Sequence, residues 1–580
     1  MYLLLIVAIS GVLLLAAYRA YGPVLARLLR LDPTRPTPAV TLRDDVDFEP
    51  IAPRFLMGQH FSAIAAAGPI AGPIIAAQMF GWAPCILWIA FGVVFIGAVH
   101  DFSALVASVR HEGESVAEIA RRNIGRRAFL AVMGFIWLAL IYVIVAFTDI
   151  TASTFVGKTE EFEGGAFKFN PGGAVAFAST AYLLLSIVMG LVERRFKPKL
   201  WVSTIIFVPL TLFVVWLGTK LSTILVLPFD NAQKAWGVGI LVYCFVASLL
   251  PVWLLLQPRG YLGGFVLYIA IGVGVIGILF GGLRYPGEIA VHQPAFKTFD
   301  AGGPLGSMFP FLFVTIACGA CSGFHGLVCS GTTSKQIEKE SHTRPVGYGA
   351  MLLEAFVALI ALSTFMIVAA DAKVPGPGKV YGDGIGRYMT VLVGKDNYLL
   401  AATFGAMAFS TFVFDTLDVS ARLGRYVIQE LFGWKGRGSA VIATALTLLP
   451  PAYFIVTARA PAPGVRPAYM DFWTLFGTSN QLLAALTLLG VTVWLKREKR
   501  RVWYTFAPML FVMGITVWAL VIQVRQNVVT LQARFDWSAT LNAVFGGALL
   551  LLAAAVMVEA LRAVRRSVAP APAEVAAPPA

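Results

Sequence analysis

Charged side chains are scarce in this sequence. Asp, Glu, Lys and Arg together make up 13% of its 580 residues, whereas soluble proteins carry about 25%. The polar intervals between its apolar runs are too short to bury a hydrophobic core of their own. The composition therefore excludes a sizeable soluble domain.

The sequence also lacks the signatures of ATP-driven transport and of zinc proteases. It contains no Walker lysine loop, and HEGES at 111–115 has no second histidine one helical turn later. The segment YGDGIGRY at 381–388 follows no strand, so we interpret it as a loop rather than a phosphate site. The five cysteines all lie in apolar runs, which favours small packing residues over a disulfide framework. We therefore predict no cofactor.

Long hydrophobic runs are what the chain has instead. Hydrophobic residues make up 58% of it, and about fifteen runs approach the length that a membrane-spanning helix needs. The densest Lys and Arg clusters fall in alternate loops, and this accounts for the net charge of +14 without a nucleic-acid partner. The pattern predicts an all-α polytopic protein of the cytoplasmic membrane, with its N-terminus outside and its C-terminus in the cytoplasm.

Two of these runs are interrupted. GQHFSAIAAAGPIAGPIIAAQ at 58–78 carries two Gly-Pro pairs, and PFLFVTIACGACSGFHGLVCSGTT at 310–333 is rich in glycine. Because the two spans run in opposite directions, we expect an inverted repeat whose broken helices meet at the substrate site. The predicted organisation is a first span and linker (1–56), two repeat halves (57–306 and 307–566) and a disordered tail (567–580). The alternative is that these glycines and prolines only permit close helix packing.

Three spans supply the predicted substrate-binding residues. Backbone N–H groups at the interruptions are the expected donors to a substrate carboxylate, because few basic residues lie within the spans. Polar side chains in the middle of a third span add hydrogen bonds, unless they only join helices. The predicted set is Gly68, Pro69, Gly72, Pro73, Gly319, Ser322, Gly323, Ser479, Asn480 and Gln481.

A small group of ionisable residues within the spans predicts proton coupling, because a charge in the bilayer is costly and histidine titrates near neutral pH. We expect the coupling proton to reside on His100, Asp101, His325 and one of the carboxylates of Asp415 and Asp418. The alternative for Asp418 is an ion pair with Arg422. The full predicted set is His60, His100, Asp101, His325, Asp415 and Asp418.

Several long stretches resemble the carbon starvation protein A family of bacterial inner-membrane transporters. Beyond the two interrupted runs, they are WAPCILWIAFGVVFIGAVHDF at 82–102, TLDVSAR at 416–422 and WTLFGTSNQLLAAL at 473–486. The resemblance implies uptake of peptides or pyruvate driven by protons, and a fold similar to the amino acid–polyamine–cation, or leucine-transporter-type, superfamily.

We therefore expect a secondary transporter, not an enzyme, that imports a peptide or a small carboxylate such as pyruvate. A membrane-embedded metalloenzyme that uses the His, Asp and Cys residues is the alternative. The exact substrate, the choice between protons and sodium, and the oligomeric state stay open.

Overall fold

The chain folds as a bundle of helices, seen here in a computed structural model that describes residues 2–44, 48–65, 67–162, 167–303, 305–372, 374–458, 468–533 and 535–568. One small antiparallel hairpin, β1 (Glu160–Phe162) with β2 (Phe167–Phe169), accompanies the helices. The predicted tail lies almost wholly outside the described residues. The helices are α1 (Tyr2–Leu28), α2 (Pro38–Thr41), α3 (Pro53–Ile64), α4 (Gly68–Phe80), α5 (Trp82–Gly92), α6 (Ala98–Arg110), α7 (Val116–Asn123), α8 (Arg126–Thr154), α9 (Pro171–Phe196), α10 (Leu200–Lys220), α11 (Ala232–Leu249), α12 (Leu256–Arg284), α13 (Met308–Thr315), α14 (Gly323–Gly331), α15 (Ala350–Met366), α16 (Pro377–Val393), α17 (Tyr398–Phe432), α18 (Arg437–Thr457), α19 (Ala468–Arg497), α20 (Trp503–Ala533) and α21 (Trp537–Val568).

Shorter helical turns complete several of these elements. A π-helical stretch at Val93–Gly97 joins α5 to α6, and another at Arg344–Gly349 leads into α15. The hydroxyl of Tyr348, in the second π stretch, donates to the carbonyl of Val94 in the first (3.4 Å). Short 3₁₀ turns lie at Thr333–Gln336, Glu340–His342 and Lys395–Asn397.

Thirteen helical segments of the described chain are long and apolar enough to cross a membrane. Helices satisfy their own backbone hydrogen bonds, which is what a hydrocarbon environment demands. The most apolar stretch of α19 is 94% buried inside the protein, whereas those of α1 and α10 are only 22% buried. The prediction of an all-α polytopic membrane protein is thus confirmed, and α19 lies at the centre of the bundle. The two remaining predicted spans are the interrupted ones.

The first interrupted span breaks earlier than predicted. Helix α3 ends at Ile64, α4 begins at Gly68, and the two are bent by 45°. The prediction that 68–73 itself is unwound is therefore wrong, since both Gly-Pro pairs lie within α4. Pro69 occupies the first turn of α4, where a backbone N–H has no intrahelical partner, so a proline there starts a helix instead of ending one.

The second interrupted span breaks where the sequence suggested. Helix α13 ends at Thr315 and α14 begins at Gly323, so residues 316–322 form an unwound stretch that includes Gly319 and Ser322. Two short helices of 8 and 9 residues thus replace one continuous span.

The segment at 381–388 is a helix, and its interpretation as a loop is wrong. It lies within α16, where Gly378, Gly382 and Gly386 repeat every four residues. A Cβ at Gly382 would lie 2.9 Å from the Cβ of Ala406, and one at Gly386 would lie 2.8 Å from the Cα of Ala402. Small residues at this spacing bring two helix backbones together. Helix α16 therefore packs directly along α17.

The described parts of the linker that follows α1, residues 29–44 and 48–52, lie at one end of the bundle, which we call the linker end. The backbone of Ile51 pairs in parallel with that of Ile337, in the segment between α14 and α15. The buried carboxylate of Glu340 accepts hydrogen bonds from the backbone N–H of Asp32 (2.7 Å) and from the guanidinium of Arg110. The linker is thus fixed to both α6 and the segment that follows the second broken span.

Candidate functional site

The two broken spans meet directly. A Cβ at Gly68 would lie 2.3 Å from Sγ of Cys318, and one at Gly72 would lie 2.6 Å from the carbonyl oxygen of Thr315. Real Cβ atoms do not approach other atoms this closely. Glycine at 68 and 72 therefore permits the contact between the start of α4 and the unwound stretch 316–322, and the predicted meeting of the two interruptions is confirmed.

Side chains satisfy the carbonyls that the second break frees. The indole of Trp473 donates to the carbonyl of Thr315 (2.9 Å), the indole of Trp88 donates to that of Ile316 (3.2 Å), and the amide of Gln481 donates to that of Phe313 (2.9 Å). An unpaired carbonyl in the bilayer costs several kcal/mol. These three donors thus offset the free-energy cost of the unwound stretch inside the membrane.

Asn480 satisfies a backbone N–H group at the start of α14. Its Oδ1 accepts a hydrogen bond from the backbone N–H of Phe324 (2.9 Å), while its Nδ2 donates to Oγ of Ser322 (3.0 Å) and contacts Sγ of Cys318 (3.3 Å). Asn480 therefore caps a helix that its own chain segment does not cap.

The other predicted substrate-binding residues divide into two groups. Gly319 lies against Pro69, and a Cβ at Gly323 would lie 2.5 Å from the carbonyl of Asn480, so both line the contact. Pro73 is buried within α4, and the hydroxyl of Ser479 donates to the carbonyl of Phe476 in its own helix (3.0 Å). Neither of the last two makes a described polar contact with the unwound stretch.

Four buried ionisable side chains lie in a row, here called a chain, beside the second broken span. Asp101 lies between two histidines: Oδ1 contacts Nδ1 of His100 (2.7 Å), and Oδ2 contacts Nδ1 of His325 (2.9 Å). The opposite nitrogen of His325 lies 3.3 Å from a carboxylate oxygen of Glu354. At most 1% of any of these side chains is exposed. The predicted grouping of His100, Asp101 and His325 is confirmed as geometry, and Glu354 extends it.

Both ends of this chain have unused hydrogen-bonding capacity. Within the described residues, Nε2 of His100, Nε2 of His325 and both carboxylate oxygens of Glu354 are buried and have no hydrogen-bond partner, so the 3.3 Å approach of His325 to Glu354 is not a hydrogen bond. Unpaired buried polar atoms are unusual in folded proteins and call for an explanation. A chain of two carboxylates and two imidazoles with open ends has the chemistry to take up and pass on a proton.

His60 lies near this chain without joining it by a direct hydrogen bond. It is buried, its Nδ1 lies 2.9 Å from the hydroxyl of Thr333, and its Nε2 lies 3.9 Å from Sγ of Cys329. The same thiol lies 3.5 Å from the backbone carbonyl of Asp101. Cys329 therefore stands between His60 and the four-residue chain.

The two carboxylates of α17 that were predicted to take part in proton coupling lie apart from these histidines. Asp415 and Asp418 instead surround Arg259 of α12: Nη1 lies 2.6 Å from Oδ2 of Asp418, and Nη2 contacts Oδ1 of Asp415. Arg422, the alternative partner of Asp418, donates instead to the backbone carbonyls of Ala247 (2.9 Å) and Leu250 (2.6 Å). Two buried carboxylates so close together need a counter-charge, and the nearest basic residue of α12 supplies it.

Arg259 is not among the predicted site residues; it lies in the first turn of α12, which begins at Leu256. A signal was present: two carboxylates one helical turn apart in an apolar span demand a buried cation. Trp88 and Trp473 were also missed, since their donor role depends on where the partner helix unwinds. No group of three or more His, Cys, Asp or Glu side chains within the described residues has the arrangement of a metal site, so nothing there favours the metalloenzyme alternative.

The sequence matches a known protein family over most of its length. The model of the family described as carbon starvation protein CstA matches residues 2–374 and 369–519. A peptide transporter CstA of Helicobacter pylori is 34% identical over 588 residues, which cover 90% of this chain and 82% of that protein. The pyruvate/proton symporter BtsT of Escherichia coli is 31% identical and covers 89% of this chain and 81% of that protein.

Solved structures are more distant. A mutant of the manganese transporter of Eremococcus coleocola matches with 14% identity and a TM-score of 0.44, over 89% of this chain and 96% of that one. The sequence matches, by contrast, extend through both broken spans and both ionisable clusters. The chain belongs to the carbon starvation protein CstA family.

Proposed function

We propose that this protein is a proton-coupled secondary transporter that imports peptides or a small carboxylate such as pyruvate across the cytoplasmic membrane. The relatives named as peptide transporters and as a pyruvate/proton symporter support this class of substrate. The observation that carries the proposal is the buried chain His100–Asp101–His325–Glu354, which includes the third residue of α14. A proton bound there acts directly on a half of the second broken span.

The substrate binds where α4 meets the unwound stretch 316–322. Both α4 and α14 begin at this contact, so the partial positive charges of two helix N-termini face it and favour a carboxylate. In this structure Gly68 and Cys318 are in contact. A substrate therefore enters only when the start of α4 separates from the unwound stretch. Asn480 bridges α19 to α14 and keeps the start of α14 ordered during that separation.

Protonation and this separation are linked through His325. In the closed arrangement its two ring nitrogens lie against Asp101 of α6 and Glu354 of α15. A protonated imidazole attracts both carboxylates and holds α14 between the two helices, whereas a neutral one holds it less firmly. Binding and release of one proton therefore changes the relative energies of the two positions of α14, which is the requirement for coupled transport.

The linker end faces the cytoplasm in this proposal. It carries the basic residues of 110–127 and 496–501, and an excess of Lys and Arg marks cytoplasmic loops. The N-terminus then lies outside and the C-terminus inside. The two halves of the inverted repeat, 57–306 and 307–566, each contribute one broken span to the site.

Transport into proteoliposomes tests the proposal. The purified protein is reconstituted, the outside is made one pH unit more acidic at zero membrane potential, and uptake of labelled pyruvate or dialanine is followed. One coupled proton permits about tenfold accumulation under these conditions. Asp101→Asn keeps the size of the side chain but removes the central charge, so the limiting accumulation is expected to fall about tenfold, which is the contribution of one coupled proton.

Asp396→Asn is the matched control, because Asp396 is exposed in the turn before α17. It should accumulate substrate as the natural protein does. If neither probe is accumulated against its gradient by the natural protein, or if Asp101→Asn accumulates it normally, the proposed coupling is wrong.

A further inference from the structure

We propose that Asp415 and Asp418, with Arg259 as a positioning residue, bind a second coupling proton at a site separate from the histidine chain. The inference rests on the proposed function, since it concerns the number of protons moved with each substrate. The two sites share no residue and no helix: the first is built from α6, α14 and α15, and the second from α12 and α17.

The charges of the second site do not balance. Two carboxylates contact one guanidinium, that of Arg259, so these three groups carry one excess negative charge when all are ionised. Arg422 also faces Asp418, but its guanidinium donates to the backbone carbonyls of Ala247 and Leu250. Arg259 is 1% exposed and Asp418 is fully buried. A buried net charge is costly in a low-dielectric environment, and one added proton removes it.

The position for that proton is visible in the hydrogen bonding of Asp418. Its Oδ2 already receives two donors, Nη1 of Arg259 (2.6 Å) and the hydroxyl of Tyr243 (2.7 Å). Its Oδ1 is buried and has no hydrogen-bond partner among the described residues, and the same holds for Nε of Arg259. Oδ1 of Asp418 can thus bind a proton without breaking a hydrogen bond of the folded protein.

Asp415 connects this oxygen to the surroundings. Its side chain is 15% exposed, whereas that of Asp418 is fully buried. Gly263 of α12 leaves the space that its Oδ2 occupies, because a Cβ at this position would lie 2.9 Å from that oxygen. A proton can therefore reach the pair by way of Asp415.

The site also lies beside the first broken span. The hydroxyl of Ser62, near the end of α3, donates to the carbonyl of Gly260 (3.4 Å), one residue after Arg259. Neutralising one carboxylate weakens the attraction between α12 and α17, next to α3. The first proton site thus acts on the half-helix α14 and the second on the half-helix α3, one in each broken span.

Arg259 tunes the site, and it does not bind the proton. Tyrosines of two further helices close the surroundings, with the hydroxyl of Tyr182 fixed to the backbone carbonyl of Arg259 (2.7 Å). The charged and titratable groups that face the pair from the neighbouring helices are Tyr182 on α9, Tyr243 and Cys244 on α11, Arg259 on α12 and Arg422 on α17.

The test counts protons per substrate. Proteoliposomes filled with a pH-sensitive dye take up the labelled probe, pyruvate or dialanine, that the natural protein accumulates, and both fluxes are measured together at zero membrane potential. Two protons are expected for the natural protein and one for Asp418→Asn. With a gradient of one pH unit, the limiting accumulation then falls about tenfold. The exposed-site variant Asp396→Asn should retain two protons.

A double variant, Asp418→Asn with Arg259→Gln, guards against misfolding of the single one and is also expected to move one proton. A count of one proton for the natural protein overturns the inference, and so does a count of two in either variant. Replacing sodium with choline distinguishes protons from sodium as the second coupling ion. If the second transported charge depends on sodium, the inference is also overturned. A natural protein that moves no protons refutes the proposed function itself, which is a distinguishable outcome.

Discussion

The contact between Gly68 and Cys318 gives a prediction about stability whose size follows from geometry. A methyl group added by Gly68→Ala would lie 2.3 Å from Sγ and 2.4 Å from Cβ of Cys318. Overpacking of a core costs about 1–3 kcal/mol. Replacing a helical glycine with alanine gains up to about 1 kcal/mol. We therefore expect Gly68→Ala to be about 1–3 kcal/mol less stable than a helical Gly→Ala change that meets no neighbour.

The assay is unfolding of the purified protein in mixed micelles, in which the SDS fraction is raised and loss of helix is followed by circular dichroism. Gly272→Ala is the control, because a Cβ at Gly272 of α12 meets nothing within 4 Å. That variant should be as stable as the natural protein or slightly more stable. The two substitutions make the same chemical change, so the difference between them isolates the contact.

A second substitution tests the cause. Cys318→Gly removes both atoms that the new methyl group meets, so Gly68→Ala with Cys318→Gly should be more stable than the sum of the single effects predicts. Gly72→Ala has no such rescue, because its Cβ would lie 2.6 Å from a backbone oxygen of Thr315. Equal stability of Gly68→Ala and Gly272→Ala would show that the broken spans do not pack as described.

Two further substitutions probe the surroundings of the site. Asn480→Ala leaves the buried N–H of Phe324 without its acceptor, which costs about 1–3 kcal/mol in the same unfolding assay; a loss below 0.5 kcal/mol would contradict its capping role. Glu340→Gln removes the buried negative charge that faces the guanidinium of Arg110, at a cost of about 3–5 kcal/mol, and should expose the linker residues 29–41 to trypsin; an unchanged cleavage rate would contradict the fixing of the linker.

The sequence was sufficient for the features that depend on composition and on local backbone chemistry. Apolar runs without charges fold as helices wherever water is absent, so the spans could be predicted one by one. The unwound stretch 316–322 was also foreseeable, because its glycines and small residues give little helix preference.

The features that could not be predicted from the sequence depend on tertiary contacts. The Gly-Pro pairs of 68–73 begin a helix because the preceding helix ends at Ile64, and nothing local distinguishes the start of a helix from a break within one. Helix α16 was missed because its glycines give little helix preference alone, and its stability comes from packing along α17. The salt bridge of Arg259 joins residues more than 150 positions apart, so only the tertiary fold reveals it.

The glycine-lined seam between α16 and α17 has a mechanical consequence. Gly382 and Gly405 face each other so closely that a Cβ at Gly405 would lie 2.6 Å from the carbonyl oxygen of Gly382. Two backbones in such close contact have little room to slide past each other, so we expect α16 and α17 to move together. A motion that opens the end of the bundle opposite the linker end would then move both helices. The carboxylates of Asp415 and Asp418, which lie on α17, would move with them.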